Sequence, residues 1–100
     1  TPRMPTEFAL QQNFPNPFNP STNITYQLDA EYGVNLTVFN ALGQEIVILV
    51  HDRVAAGFHT VQWNAGSLPS GVYICRLGAI DGATGIGKRF EQSRRMLLLK

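Results

Sequence analysis

Alternation with a period of two runs through most of this chain, and turn residues interrupt it about every ten positions. Ile24, Tyr26 and Leu28 alternate with Asn23, Thr25 and Gln27, and Val34, Leu36 and Val38 alternate with Asn35 and Thr37. Successive side chains of a strand point to opposite faces, so each set reads as a strand with one buried face. Val61 and Trp63 alternate with Thr60 and Gln62, while Tyr73, Cys75 and Leu77 oppose Val72, Ile74 and Arg76. Ile46 to Val50 is continuously apolar, which predicts a strand buried on both sides. A short strand is expected near Phe8 to Leu10, and the Met96-Leu97-Leu98-Leu99 run is β-compatible.

The interruptions set the architecture. Asn40-Ala41-Leu42-Gly43 suits a type I turn followed by Gly43 in the left-handed region, a tight hairpin with a G1 bulge. Other breaks fall at Asp29 to Gly33, Ala55-Ala56-Gly57, Asn64 to Gly71 and Gly78 to Gly87. About seven strands with no helix between them predict an antiparallel, immunoglobulin-like β-sandwich. One hundred residues suit a single core. Thr1 to Thr6, with two prolines, reads as the end of a linker from an upstream cargo, leaving residues 7–100 as the domain. The opening Thr1-Pro2-Arg3 carries no leader pattern, so either a leader was removed or this is a piece of something longer.

Phe14-Pro15-Asn16-Pro17-Phe18-Asn19-Pro20 cannot be a central strand, because proline donates no ladder bond. A stiff crossover is expected, with Phe14 and Phe18 as two anchors on the core. The alternative is a proline-rich ligand for a recognition domain.

A net charge of +1 gives no general attraction for nucleic acid or an acidic membrane, and no apolar run is long enough for a transmembrane helix. The charge is uneven: the last thirteen residues carry +4 and the first eighty-seven −3. A lone Cys75 permits no internal disulfide and no zinc site.

Little of the inventory suits catalysis. Cys75 lies among apolar strand neighbours, and neither His51 nor His59 sits in a triad signature, so no catalytic residue is assigned. Asp29, Glu31, Asp52 and Asp81 fit no calcium-loop spacing, and no metal or cofactor is expected. Gly82 to Gly87 lacks the helix a phosphate-binding loop requires and reads as a hairpin tip. Trp63 is read as the central core residue of a sandwich, with a sugar-stacking platform as the alternative. Asn23-Ile24-Thr25 and Asn35-Leu36-Thr37 match the glycosylation sequon, a pattern that outward Asn and Thr also produce by chance. Arg94-Arg95, Met96 to Leu99 and Lys100 make an apolar strand with charge at both ends. It reads as a closing strand with gatekeeper charges, as a docking strip, or as both.

Several segments, in order, resemble one family. Asn13 to Thr22, Ala41 to Ile46, Ala56 to Trp63, Leu68 to Tyr73 and Arg95 to Lys100 are similar to the type A C-terminal sorting domain of the type IX secretion system. The resemblance implies a seven-stranded immunoglobulin-like fold, related to a module of flagellar hook-capping proteins. It implies recognition in the periplasm by an outer-membrane translocon, and in many members removal by a surface sortase. It places sorting on Gly71, Tyr73 and the terminal strand Arg95, Met96, Leu97, Leu98, Leu99 and Lys100, to which the basic strip adds Arg94. Pro15, Asn16, Pro17, Phe18, Gly43 and Trp63 are its structural positions. Two departures stand out: a long connection from Gly78 to Ser93, and Cys75 where an aromatic or aliphatic residue is usual. The expected function is an export address for an attached cargo protein, delivered to the surface or the medium. The alternative is a carbohydrate-binding or stabilising module of a secreted enzyme.

Overall fold

The computed structural model describes residues 5–81 and 89–100. Thr1 to Met4, the Gly82 to Gly87 stretch read as a hairpin tip, and Lys88 lie outside the described residues. Among the described residues seven strands form: β1 (Ala9–Leu10), β2 (Ser21–Leu28), β3 (Tyr32–Asn40), β4 (Glu45–Val54), β5 (Gly57–Asn64), β6 (Gly71–Ile80) and β7 (Arg89–Leu98). They pair antiparallel in two sheets, ordered β1-β2-β5 and β4-β3-β6-β7. The architecture is the predicted sandwich and fits an immunoglobulin-like fold.

Alternation translates directly into burial. Ile24, Tyr26, Leu28 and Trp63 face inward from the three-stranded sheet, and Val34, Leu36, Val38, Tyr73, Cys75, Leu77, Met96 and Leu98 from the four-stranded one. The predicted hairpin also forms. Gly43 has φ +81°, its N–H donates to Asn40 O at 3.0 Å, and Asn40 Oδ1 accepts from the N–H groups of Leu42 and Gln44.

Three expectations need correction. Ile46 to Val50 is not buried on both sides, since β4 is the edge of its sheet. The β3–β4 register skips Leu49 and Ile46, so β4 carries two bulges. Each bulge sends two successive residues toward one face. Ile46, Val47, Leu49 and Val50 therefore pack against the core while Ile48 points out. Phe14 is not a second anchor: it is 76% exposed and attaches only by backbone bonds to Asn23, whereas Phe18 is buried. Finally, the connection before the last strand is shorter than it looks. β6 continues through Gly78 to Ile80, and β7 begins at Arg89 in unbroken register, Ile80 opposite Arg89 through Gly71 opposite Leu98.

Burial of Cys75 has a measurable consequence. It pushes the thiol up to about 12 from 9.0, and Tyr32 rises to about 12 through its hydrogen bond to Asp29 and burial. Unfolded, these groups ionise near 9 and 10. Their stabilisation is complete below pH 9 and is lost as pH rises from 9 to about 12. Urea unfolding should therefore show stability falling across that window, with Cys75→Ala removing the fall between pH 9 and 10 and making it shallower above. An unchanged profile in the variant would contradict the buried thiol's part.

Candidate functional site

The residues the sequence singles out converge on one end of the sandwich, where β6, β7 and the proline crossover meet. The crossover lies along the outer edge of β7. Phe18 N–H donates to Leu97 O at 2.9 Å, Leu99 N–H donates to Phe18 O at 3.1 Å, and Asn16 Oδ1 accepts from Leu97 N–H at 2.9 Å. Pro15 and Pro17 add no backbone donors, so the segment satisfies this edge without presenting a full ladder of its own. The buried Asn13 holds the crossover in place: its Nδ2 donates to Pro15 O and to Thr22 Oγ1, and the Thr22 hydroxyl donates to Pro15 O. Gln12 Nε2 donates to Asn13 Oδ1 and to Arg95 O. Phe18 enters the core beside Trp63, with ring centroids 5.6 Å apart, and Trp63 meets Tyr73 at 5.8 Å. Trp63 is 5% exposed, which removes it as a sugar platform.

Strand alternation divides the terminal residues into two sets. Met96 and Leu98 are core residues. Arg94 shares their face but sits at the rim, where its Nε donates to Leu10 O at 2.8 Å. Gln92 Oε1 accepts from Leu10 N–H at 2.8 Å, so two side chains of β7 satisfy the backbone edge of β1 and close that side of the sandwich. Arg95, Leu97 and Leu99 fall on the opposite, outward parity. Leu97 lies opposite Val72, and Ile74 lies between Arg95 and Phe39. Val72 is 40% exposed, and Leu42 on the neighbouring hairpin tip is 84% exposed. Val72, Ile74 and Leu97 form an apolar row beside Arg95, with the Arg76 guanidinium 4.6 Å from the Phe39 ring centroid.

Gly71 and Tyr73 organise the entry to this end. Gly71 has φ +155°, a conformation L side chains rarely adopt. The Tyr73 ring is buried and its hydroxyl donates to Pro69 O at 2.7 Å. Lys100 is exposed, and its N–H donates to Ser70 Oγ. Sequence reasoning gives no individual role to Val72, Ile74, Gln92, Gln12, Asn13 or Thr22, although Asn13, Thr22 and Val72 lie in the segments that carry the family resemblance. For Val72 and Ile74 a signal existed, since two large apolar residues occupy the outward parity of a strand whose inward parity is already apolar.

The two arginines are separable by experiment. Arg94→Met keeps the alkyl stem and loses the bond to Leu10 O, which should cost about 1 kcal/mol in urea unfolding. Arg95→Met should stay within about 0.5 kcal/mol of the parent. Equal costs would mean that Arg94 does not close the rim.

Chemistry elsewhere is sparse. His59 stacks on Tyr26 and its Nε2 meets Ala55 O at 2.8 Å, so that nitrogen carries the proton. His51 Nδ1 meets Asn35 Oδ1 at 2.5 Å. Neither has a Ser, Thr or Cys partner, and no cluster of three or more His, Cys, Asp or Glu suited to a metal occurs among the described residues. A hollow of about 370 Å³ on the outer face of the four-stranded sheet is lined by Ile48, Arg76, Gly78, Ile80 and Glu91. No helix among the described residues is long and apolar enough to cross a membrane.

Comparison with known families gives one match, to the secretion system C-terminal sorting domain, over residues 12–88. That span holds the crossover and β2 to β6, and β7 lies beyond it. No curated protein and no solved structure matches the chain. Domains of this family are not enzymes in general. With the match covering most of its length and the sandwich agreeing, the chain belongs to the secretion system C-terminal sorting domain family and is a sorting signal of the type IX secretion system, the mark of a secreted or cell-surface protein.

Proposed function

We propose that the export machinery reads the outward row of the terminal hairpin. Arg95, Leu97, Leu99 and Lys100, with Val72 and Ile74, make the contact, while Gly71, Tyr73, Arg94, Met96 and Leu98 hold the row in place. The observation that carries this reading is the row itself: exposed Val72 and Leu99 with half-buried Ile74 and Leu97 on the outward face beside a basic side chain. Contiguous exposed apolar surface marks contact sites more often than it occurs by accident. The covered edge of β7 favours recognition through this face over addition of a strand beside Leu97.

The partner is the outer-membrane translocon, reached from the periplasm, and the cargo is joined ahead of residue 7 through the linker of residues 1–6. A periplasmic reporter fused to residues 1–100, in a host with this pathway, should appear at the surface or in the medium. Reporter retained in the periplasm by a folded fusion would overturn the reading. Deleting Arg95 to Lys100 should abolish export, but it also removes Met96 and Leu98 from the core. Protease resistance of the fusion must therefore be read alongside.

A further inference from the structure

The other face of the sandwich differs in kind. No Asp, Glu, Lys or Arg occurs in β1, β2 or β5, although 15% of the chain is charged. The outward side chains of β2 and β5 are Ser21, Asn23, Thr25 and Gln27 beside Asn64, Gln62, Thr60 and Phe58, each opposite its partner in regular register. Solubility is usually secured by charges making up about a quarter to a third of a surface, so a solvent-facing sheet without any is not what solubility alone selects. The opposite sheet carries Arg76, Arg89, Glu91 and Arg95 on its outer side.

These groups are suited to one class of ligand. The side chains of Asn23 and Gln62 stand opposite each other, exposed and making no hydrogen bond among the described residues, and the Ser21 hydroxyl is likewise without one. An amide presents a donor and an acceptor side by side, the arrangement that pairs with two adjacent hydroxyls. Asn64 spends only its Oδ1, on Gly66 N–H, and Gln27 only its Nε2, on Glu7 O. Phe58, 56% exposed at the end of the row opposite Gln27, supplies an apolar ring face. Cross-strand and along-strand spacings of about 5 and 7 Å make a grid on the scale of single sugar rings. The row from Phe58 to Asn64 extends about 20 Å, room for several. An anionic or cationic polymer would find no counter-charge here, whereas a neutral polyhydroxyl chain loses nothing by the absence.

We propose that the outer face of β2 and β5 binds a neutral polysaccharide, with Phe58 stacking on a sugar ring and Asn23 and Gln62 holding its hydroxyls. This site is independent of the export reading and of the buried Trp63. The test is native electrophoresis of the full chain through gels containing mixed-linkage β-glucan, galactomannan or dextran, with polygalacturonate as the charged control. At least one neutral polymer should retard the parent, polygalacturonate should not, and Phe58→Ala should weaken retardation about three- to tenfold, the loss of one stacking contact. Asn23→Ala with Gln62→Ala should weaken it further, both variants unfolding in urea like the parent. No retardation by any neutral polymer, equal retardation by polygalacturonate, or folded variants that bind like the parent would each overturn the proposal.

Discussion

Phe18→Ala is expected to lower the unfolding free energy by about 3–5 kcal/mol, the range for deleting a buried aromatic side chain. Domains of this kind hold about 5–15 kcal/mol in total, so the variant would retain little margin. The reason is positional. Phe18 comes from the crossover, inserts against Trp63, and through its backbone ties the crossover to Leu97 and Leu99. Removing the ring opens a cavity under Trp63 and loosens the cover over the edge of β7. Phe14→Ala, four residues earlier, removes an exposed ring and should fall within about 0.5 kcal/mol of the parent. Urea unfolding of the two variants gives the comparison, and equal effects would show that the crossover is not anchored through Phe18. Export of a fused reporter should follow stability, failing for Phe18→Ala and persisting for Phe14→Ala.

The second large effect should leave stability almost untouched. Arg95→Glu with Leu97→Thr changes only outward side chains of β7, and threonine brings a β-branched side chain that a strand favours. Export of a reporter should fall at least about tenfold, which 1.4 kcal/mol of lost contact energy would produce. The urea midpoint should move by less than about 1 kcal/mol in stability. Leu98→Ala, one residue further, should cost about 2–5 kcal/mol and abolish export through unfolding. If the outward pair exports like the parent while folded, the translocon reads another surface. The comparison works because neighbours in a strand face opposite ways, so adjacent substitutions separate recognition from folding.

Much of this end of the molecule was legible from residue types. Gly71, Tyr73 and the proline segment were singled out, and each occupies a position that explains its type: an unusual φ, a buried ring with a bonded hydroxyl, and an edge cover poor in donors. Arg94 and Arg95 read as one basic pair, yet one closes the rim on Leu10 and the other faces solvent. Composition cannot separate them. Strand parity can, once β7 is known to run from Arg89. Gln12 and Gln92 gave no signal, and Asn13 and Thr22 only their place in the family segment, because an amide or hydroxyl that bonds a distant backbone looks like any surface polar residue until its partner is in place.

By itself the sequence determined the strands, their inward faces, the tight turn at Gly43 and the family, because side-chain alternation and φ requirements are local properties. Only the tertiary structure decided that β4 is a bulged edge, that Phe14 faces water while Phe18 enters the core, and that the two outer faces differ in charge and apolar character. Those outcomes depend on which strands become neighbours. Pairing across tens of residues is set by the packing of the whole sandwich rather than by any one segment.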